Sequence, residues 1–454
     1  MMKTENSINP AGPKGYPFIG SILDLTSRPL KWLQSLTDEY GDVAKFRLLK
    51  REVYLVNHPD LVREILGKRV DNYTKKSVAF KIVKVVLGES TFTSTGEVWK
   101  RKRKLAQPSF HKNRIANLSV MMTDTIEEML DEWEIICDKK ETINVADAMM
   151  RLTLKVVVRA LFSTALSKEE VQTVADVFTP LLEETNARIS FPIRIFHRLR
   201  RKRNAAYFEN IKKLDDIIYR IIHERRNASS PPTDLLQMLM DARDEETGEP
   251  LNDEELRDEV MTVFIAGHET TANAMAWLWM VLSQQPDVRN RVEEEVEQVL
   301  GKRIPVASDF PDLTYLLKVF KETLRIYPPV PILPRRVEQD DVLGDYFIKG
   351  GSEVFFSPYL LHRHPDFWED PESFNPDRFD KDLIRRQHTF AYLPFGGGPR
   401  LCMGNNFAMM EAVFIIAMAT QRFRLNLVSD APNEPLVTLT TRPKGGVVVR
   451  LERR

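Results

Sequence analysis

The sequence predicts a mainly α-helical protein that carries small β-sheets. Three observations lead there. Helical apolar spacing fills most of the chain up to about Tyr327, strand-like alternation is confined to short pieces near the two ends, and neither an internal repeat nor a shift in composition divides the chain. With 454 residues, 43% of them apolar, the chain can bury a large core. A single domain over residues 1–454 is therefore expected.

The elements follow in order. "NPAGPKGYPFIGSILDL" is dense in Pro and Gly, so residues 1–25 are expected to form an extended leader over the surface. Apolar residues then alternate at Ala44, Phe46, Leu48, Val53 and Leu55 around "LKRE", which predicts a β-hairpin from Ala44 to Val56. "NHPDLVREIL" opens a helix, with Asn57 or His58 near the cap and Pro59 in the first turn. Helices are predicted over Ile115–Trp133, Val145–Phe162, Lys168–Thr185, Ala205–Arg226 and Glu254–Gln284, two of them separated by the turn-forming "NASSPPTD". Strands return at Glu353–Phe356 and Val447–Leu451, and the apolar, helix-like "NNFAMMEAVFIIAMAT" starts at Asn405. About fifty residues follow Cys402, too few for an appended redox domain.

The totals exclude several classes. Basic and acidic side chains balance at 65 each, so nothing global points to nucleic acid or an anionic membrane. Two cysteines, Cys137 and Cys402, cannot build a disulfide framework, and the first residues lack a basic region followed by an apolar signal core. A reducing, cytoplasmic setting is expected. No run approaches the ~18 apolar residues of a membrane span, so a soluble protein is expected.

The chemistry concentrates at "AYLPFGGGPRLCMG", Ala391 to Gly404. A metal-ligating thiolate needs amide donors and a positive field around it, because an isolated buried anion is costly. Gly396, Gly397 and Gly398 let the backbone turn tightly, Arg400 brings a cation, and the helix that starts just after Cys402 directs its N-terminal amides at the sulfur. A single cysteine suits heme iron better than zinc or an iron–sulfur cluster. Cys137, inside the amphipathic "MLDEWEIICDKK", reads as an ordinary structural cysteine.

"FGGGPRLCMG", residues 395–404, resembles the heme-binding signature FxxGxRxCxG of the cytochrome P450 family at every defined position, and the rest of the chain agrees in order and spacing. The resemblance implies the cytochrome P450 fold, heme b as cofactor, Cys402 as the iron ligand, and Phe395 and Arg400 beside it. In "WKRKRKLAQPSF", Trp99 and Arg103 share one helical face; by the same resemblance they bind a heme propionate. The neighbouring cations Lys100, Arg101, Lys102 and Lys104 read either as a solvated basic helix or as a docking face for an acidic electron donor, with Lys100, Arg101 and Lys104 the expected contacts. In "KETLRIYPP", Glu322 and Arg325 stand at i and i+3; alone the pair would read as a surface salt bridge. With Arg378 of "PESFNPDRF" it resembles the family's structural Glu-Arg-Arg network. Arg335 of "PVPILPRR" matches the arginine that reaches the second propionate, in preference to its neighbour Arg336, and Val330 and Ile332 would then face substrate.

"FIAGHETTANAMAW" lies in a long apolar helix, Val260 to Leu282. A threonine there commonly bonds back to its own helix, but the pattern resembles the family's (A/G)Gx(D/E)T(T/S). That implies Thr270 as the hydrogen-bonding partner of dioxygen, Glu269 as a proton relay, and Ala266 among the substrate contacts. His268 is the unspecified position of the motif. Phe92 in "GESTFTST" is either an aromatic near the heme edge or an ordinary core residue, and Leu439 is a further substrate candidate. "FPIRIFHRLRRKR", Phe191 to Arg203, mixes apolar and basic residues, as either a membrane-touching or substrate-capping segment or the solvated start of a helix.

The resemblance implies a heme-thiolate monooxygenase that activates O2 and hydroxylates a lipophilic substrate of the fatty acid, terpenoid or steroid class. Electrons would come from a separate ferredoxin, flavodoxin or reductase. A peroxide-driven peroxygenase and a heme sensor or carrier are the alternatives; the acid–alcohol pair Glu269–Thr270 speaks against both. Were a fatty acid bound, Lys50, Arg51 or Tyr54 at the hairpin could anchor its carboxylate.

Overall fold

The computed structural model describes residues 7–163, 166–190, 201–429 and 434–454. Helices dominate. The central one, Asp253–Gln284, starts with a reciprocal capping box between Asn252 and Glu255 and is buried along most of its length. Gly267 lets the helix Val145–Phe162 close on it, since a Cβ there would lie 3.0 Å from Val157 Cγ2. Around this pair lies the main apolar core, which includes Phe178, Leu236, Trp277, Phe320 and Phe414.

The expected elements are present, with shifted ends. Val145–Phe162 is a helix as expected, whereas the other helices run Ser119–Asp138, Lys168–Ser190 and Arg201–Arg226. His58 caps the helix Pro59–Arg63 by accepting from the Asp60 amide. The leader lies against the hairpin and the turn after Leu343: Lys45 N–H donates to the Ala11 carbonyl at 2.8 Å and Ile8 N–H to Asp345 O at 2.8 Å. It ends earlier than expected, because the helix Ile22–Ser27 begins inside the 1–25 span. The expected segment Phe191 to Arg203 falls largely outside the described residues.

The sheets differ from the expectation in one respect. The hairpin Val43–Leu48/Arg51–Val56 and the late strand Glu353–Phe356 join one five-stranded sheet, in the order Val43–Leu48, Arg51–Val56, Glu353–Phe356, Leu333–Val337, Tyr73–Thr74. Val53 to Val56 pair in parallel with Glu353 to Phe356, a contact across some three hundred residues that local alternation cannot encode. The same sheet sets Thr74 beside Arg336 and Tyr73 beside Val337, which brings the segment after Thr74 next to Arg335. The strand Val448–Arg453 pairs with Phe423–Leu427 and Thr142–Asn144 in a separate sheet. Among the described residues no helix is long and apolar enough to cross a membrane.

Candidate active site

Cys402 sits between a tight loop and the helix Asn405–Arg422. Its amide donates to the Phe395 carbonyl at 3.0 Å, and Leu401 N–H closes a turn on Gly398 O at 3.1 Å. Gly398 is needed there: its φ is +65°, and a Cβ would meet the Leu66 carbonyl oxygen at 2.1 Å. The helix starts at Gly404 without a side-chain cap, so its first amides stay available on the sulfur's side. Burial pushes the Cys402 thiol above its ordinary range, opposed by the Gly404 amide, Arg103 and Lys75. Cys402 is nonetheless accessible, which places it on the wall of an internal opening. The central helix shows the same opening. Ala266 is the exposed position of the stretch 256–282, with Thr270 half-buried one turn later.

Four cations gather beside the sulfur. Arg103 Nη1 donates to Leu401 O at 2.8 Å, and Arg400 donates to Ser94 O at 2.9 Å with its guanidinium 3.9 Å from the centroid of the Trp99 ring. Arg335 is buried on its strand. Lys75, absent from every motif, is buried too; its ammonium donates to Phe92 O at 2.8 Å and feels Arg335, Arg400, Arg103 and Cys402. Burial lowers Arg335 to about 10, Arg400 to about 9, and Lys75 well below the usual lysine range. Among the described residues none of the four forms an ion pair with a carboxylate. Desolvated cations without counterions are costly, so the cluster calls for an anionic ligand. A flat group with two carboxylates and a metal facing a thiolate fits this donor set, as heme b would. Arg336 is aligned with Glu353 instead. Among the described residues no cluster of His, Cys, Asp and Glu could hold a metal ion.

Thr270 donates to Ala266 O at 2.6 Å, the back-bond common for a helix threonine. Glu269 is buried and accepts from the Thr440 hydroxyl at 2.8 Å; burial raises its carboxyl, opposed by Thr440 and Arg442. His268 lies edge-on to Phe178 and burial lowers it to about 4. A cavity of about 30 Å3 beside the helix is lined by His268, Glu269, Leu439 and Arg442.

The Glu322–Arg325 pair is wholly buried. Arg325 Nε and Nη2 donate to the two carboxylate oxygens at 2.7 and 2.8 Å, and its remaining donors reach the carbonyls of His362, Pro371 and Ser373. Arg378 comes within 3.5 Å of Glu322 and binds the carbonyls of Glu369 and Asp370. The surface-bridge reading of this pair fails because both members lie in the core.

The remaining positions scatter. Phe92 is exposed, with its ring centroid 5.3 Å from that of Phe80. Val330 is half-buried, and Ile332 packs against the core between the hairpin and the helix Pro29–Tyr40. Of the basic run, Lys100 pairs with Glu97 at 2.7 Å, Arg101 with Glu255 at 2.7 Å and Lys104 with Glu246 at 3.3 Å, while Lys102 is buried. Lys112 and Arg114 nearby are exposed and pair with no carboxylate among the described residues. Tyr54 is buried, and Arg51 lies 3.8 Å from Glu353.

Comparison with known proteins agrees with this geometry. The family model described as Cytochrome P450 matches residues 10–449. Cyclooctatin synthase of Streptomyces melanosporofaciens is 34% identical over 435 residues, covering 95% of this chain and 93% of the relative. Pentalenene oxygenase of Streptomyces avermitilis is 30% identical, with 94% of each chain covered. Among solved structures, the crystal structure of cytochrome P450DA heme domain superposes with a TM-score of 0.90 at 27% identity, covering 99% of this chain and 98% of that one.

Proposed function

The chain belongs to the cytochrome P450 family, whose heme b monooxygenases use dioxygen, a substrate and a redox partner, and we propose that it hydroxylates a cyclic terpenoid as one domain spanning residues 1–454. When bound, heme b supplies dioxygen activation and insertion of one oxygen atom into a C–H bond. In this reading Cys402 holds the iron, and Trp99, Arg103, Arg335, Arg400 and Lys75 hold the propionates, with Phe395 anchoring the loop. The single observation that carries it is the cluster of four unpaired cations beside an accessible, loop-held cysteine.

Thr270 would turn its hydroxyl from Ala266 toward the opening, and Glu269, tied to Thr440, would move protons to it. Glu322, Arg325 and Arg378 fix the chain around the cysteine loop. Phe92, Ala266, Val330 and Leu439 would meet the substrate. The redox partner, a ferredoxin, flavodoxin or reductase, would dock on Lys112 and Arg114 together with the exposed Lys100 and Lys104; Arg101 is already engaged by Glu255.

The terpenoid class rests on the names of relatives such as pentalenene oxygenase and on the hairpin. Tyr54 is buried and Arg51 faces Glu353, so of the three anchor candidates for a fatty acid only Lys50 is exposed and unengaged. The test is an optical titration of the purified ferric protein with cyclic sesquiterpenes and diterpenes, fatty acids and steroids. A saturable low-spin to high-spin shift with the terpenes is expected. A shift with fatty acids or steroids and none with terpenes would overturn the substrate class.

A further inference from the structure

The loop from Gly88 to Ser94 presents Phe92, and charged side chains from four other parts of the chain grip its backbone. Asp258 accepts the Glu89 amide at 2.7 Å, and Lys102 donates to the Glu89 carbonyl at 2.6 Å. Glu259 accepts the Thr91 amide at 2.7 Å through one oxygen and the Thr91 hydroxyl at 2.6 Å through the other. Lys75 and Arg400 hold the carbonyls of Phe92 and Ser94 at 2.8 and 2.9 Å. Gly88 permits the approach: with φ +58°, a Cβ there would fall 1.9 Å from Asp258 Oδ1.

Loops usually satisfy their backbone with water and with one another. Here Asp258, Glu259 and Lys102 are buried where they do so, each at a desolvation cost. The ring so fixed lies against Phe80 and under the Lys75 ammonium, 4.5 Å from its centroid, and still keeps 38% of its surface exposed. That combination, a costly rigid mount under an open aromatic, is what a shape-selecting contact needs.

We propose that Glu259 is a positioning residue for substrate selection: by accepting both donors of Thr91 it fixes the loop and hence the place of the Phe92 ring at the pocket. The inference rests on Phe92 as a pocket residue and is independent of the terpenoid assignment. Glu259 responds to pH. Burial raises its carboxyl to about 7, opposed by Thr91 and Lys102 and reinforced by Asp258. Also facing this corner are Glu255, 3.8 Å from Lys102, and Arg257, which pairs with Asp258 at 3.0 Å and with Asp215 of the helix Arg201–Arg226 at 2.5 Å. Above neutrality both carboxylate oxygens accept; below it one carries a proton and the grip loosens.

The experiment uses the heme-loaded protein, wild type and Glu259→Gln, titrated optically with 4-phenylimidazole and with imidazole at pH 6 and pH 8. The mutant-to-wild-type ratio of Kd cancels the titration of each ligand. For 4-phenylimidazole the ratio should be near one at pH 6 and about five-fold or more at pH 8, the effect of roughly one net hydrogen bond. For imidazole, which lacks the ring that meets Phe92, it should stay near one. Hydrogen exchange at pH 8 should be faster across residues 88–94 in the variant. Equal ratios for both ligands at both pH values, with unchanged exchange, would overturn the proposal. Should Glu259→Gln fail to retain heme, Thr91→Val removes only the hydroxyl arm and decides: weaker 4-phenylimidazole binding with unchanged imidazole binding supports it, and no change overturns it.

Discussion

Glu411→Gln should stabilise the protein at neutral pH, although it removes an acid from the core. Glu411 lies on the helix that follows Cys402, fully buried, and neither carboxylate oxygen makes a hydrogen bond of normal geometry. The Thr271 hydroxyl on the central helix is a polar neighbour. Burial raises the carboxyl from 4.5 to about 8, with Thr271 pulling weakly the other way. The folded pKa lies above the unfolded one, so the stability that the protonated acid contributes is complete below pH 4.5 and is lost as pH rises toward 8. Each pH unit in that window costs about 1.4 kcal/mol, so at pH 7 the penalty is about 3 kcal/mol. Glutamine is isosteric and stays neutral, so it escapes the penalty while its amide meets Thr271. At about 2.1 cal/mol/K per residue, the unfolding entropy of 454 residues is about 1 kcal/mol/K, so the variant should melt about 3 °C higher at pH 7. The assay is calorimetry of both heme-loaded proteins at one scan rate between pH 4.5 and 8. The difference in Tm should grow with pH and vanish at the acid end. A variant that melts lower at pH 7, or a difference independent of pH, would refute the reasoning.

Two further outcomes test the candidate site. Thr270→Ala should keep heme and substrate binding but divert reducing equivalents to hydrogen peroxide, measured as peroxide formed per NADPH consumed with a ferredoxin system; full coupling would remove Thr270 from oxygen chemistry. Lys75→Met keeps the apolar stem and deletes the ammonium, so heme transfer to apomyoglobin should be about ten-fold faster, the effect of one charge-assisted hydrogen bond; an unchanged rate would remove Lys75 from the propionate cradle.

Legibility in the sequence followed the range of the interaction. The cysteine loop and the Glu322–Arg325 pair were readable because their geometry is local: three glycines, a proline and an arginine in one turn, or two charges one helical turn apart. Lys75 was not, because its role comes from the pairing of Tyr73–Thr74 with Leu333–Val337, which sets it beside Arg335 from the far end of the sheet. The basic run misled for the same reason. Arg101 and Lys102 look solvated from their neighbours in sequence, yet Glu255 and the Glu89 carbonyl, held far along the chain or across a loop, claim them. Glu411 is the instructive case. A lone acid in "NNFAMMEAVFIIAMAT" breaks an apolar helix as visibly as Glu269 breaks its own, and a buried carboxylate needs a reason in either place. Glu269 is marked twice, by its burial in an apolar helix and by a known pattern, whereas Glu411 is marked by its burial alone. An acid on a buried helix face is therefore better found by its cost than by its motif, and the same rule leads to Glu259, whose carboxylate is spent on a single threonine of the loop that presents Phe92.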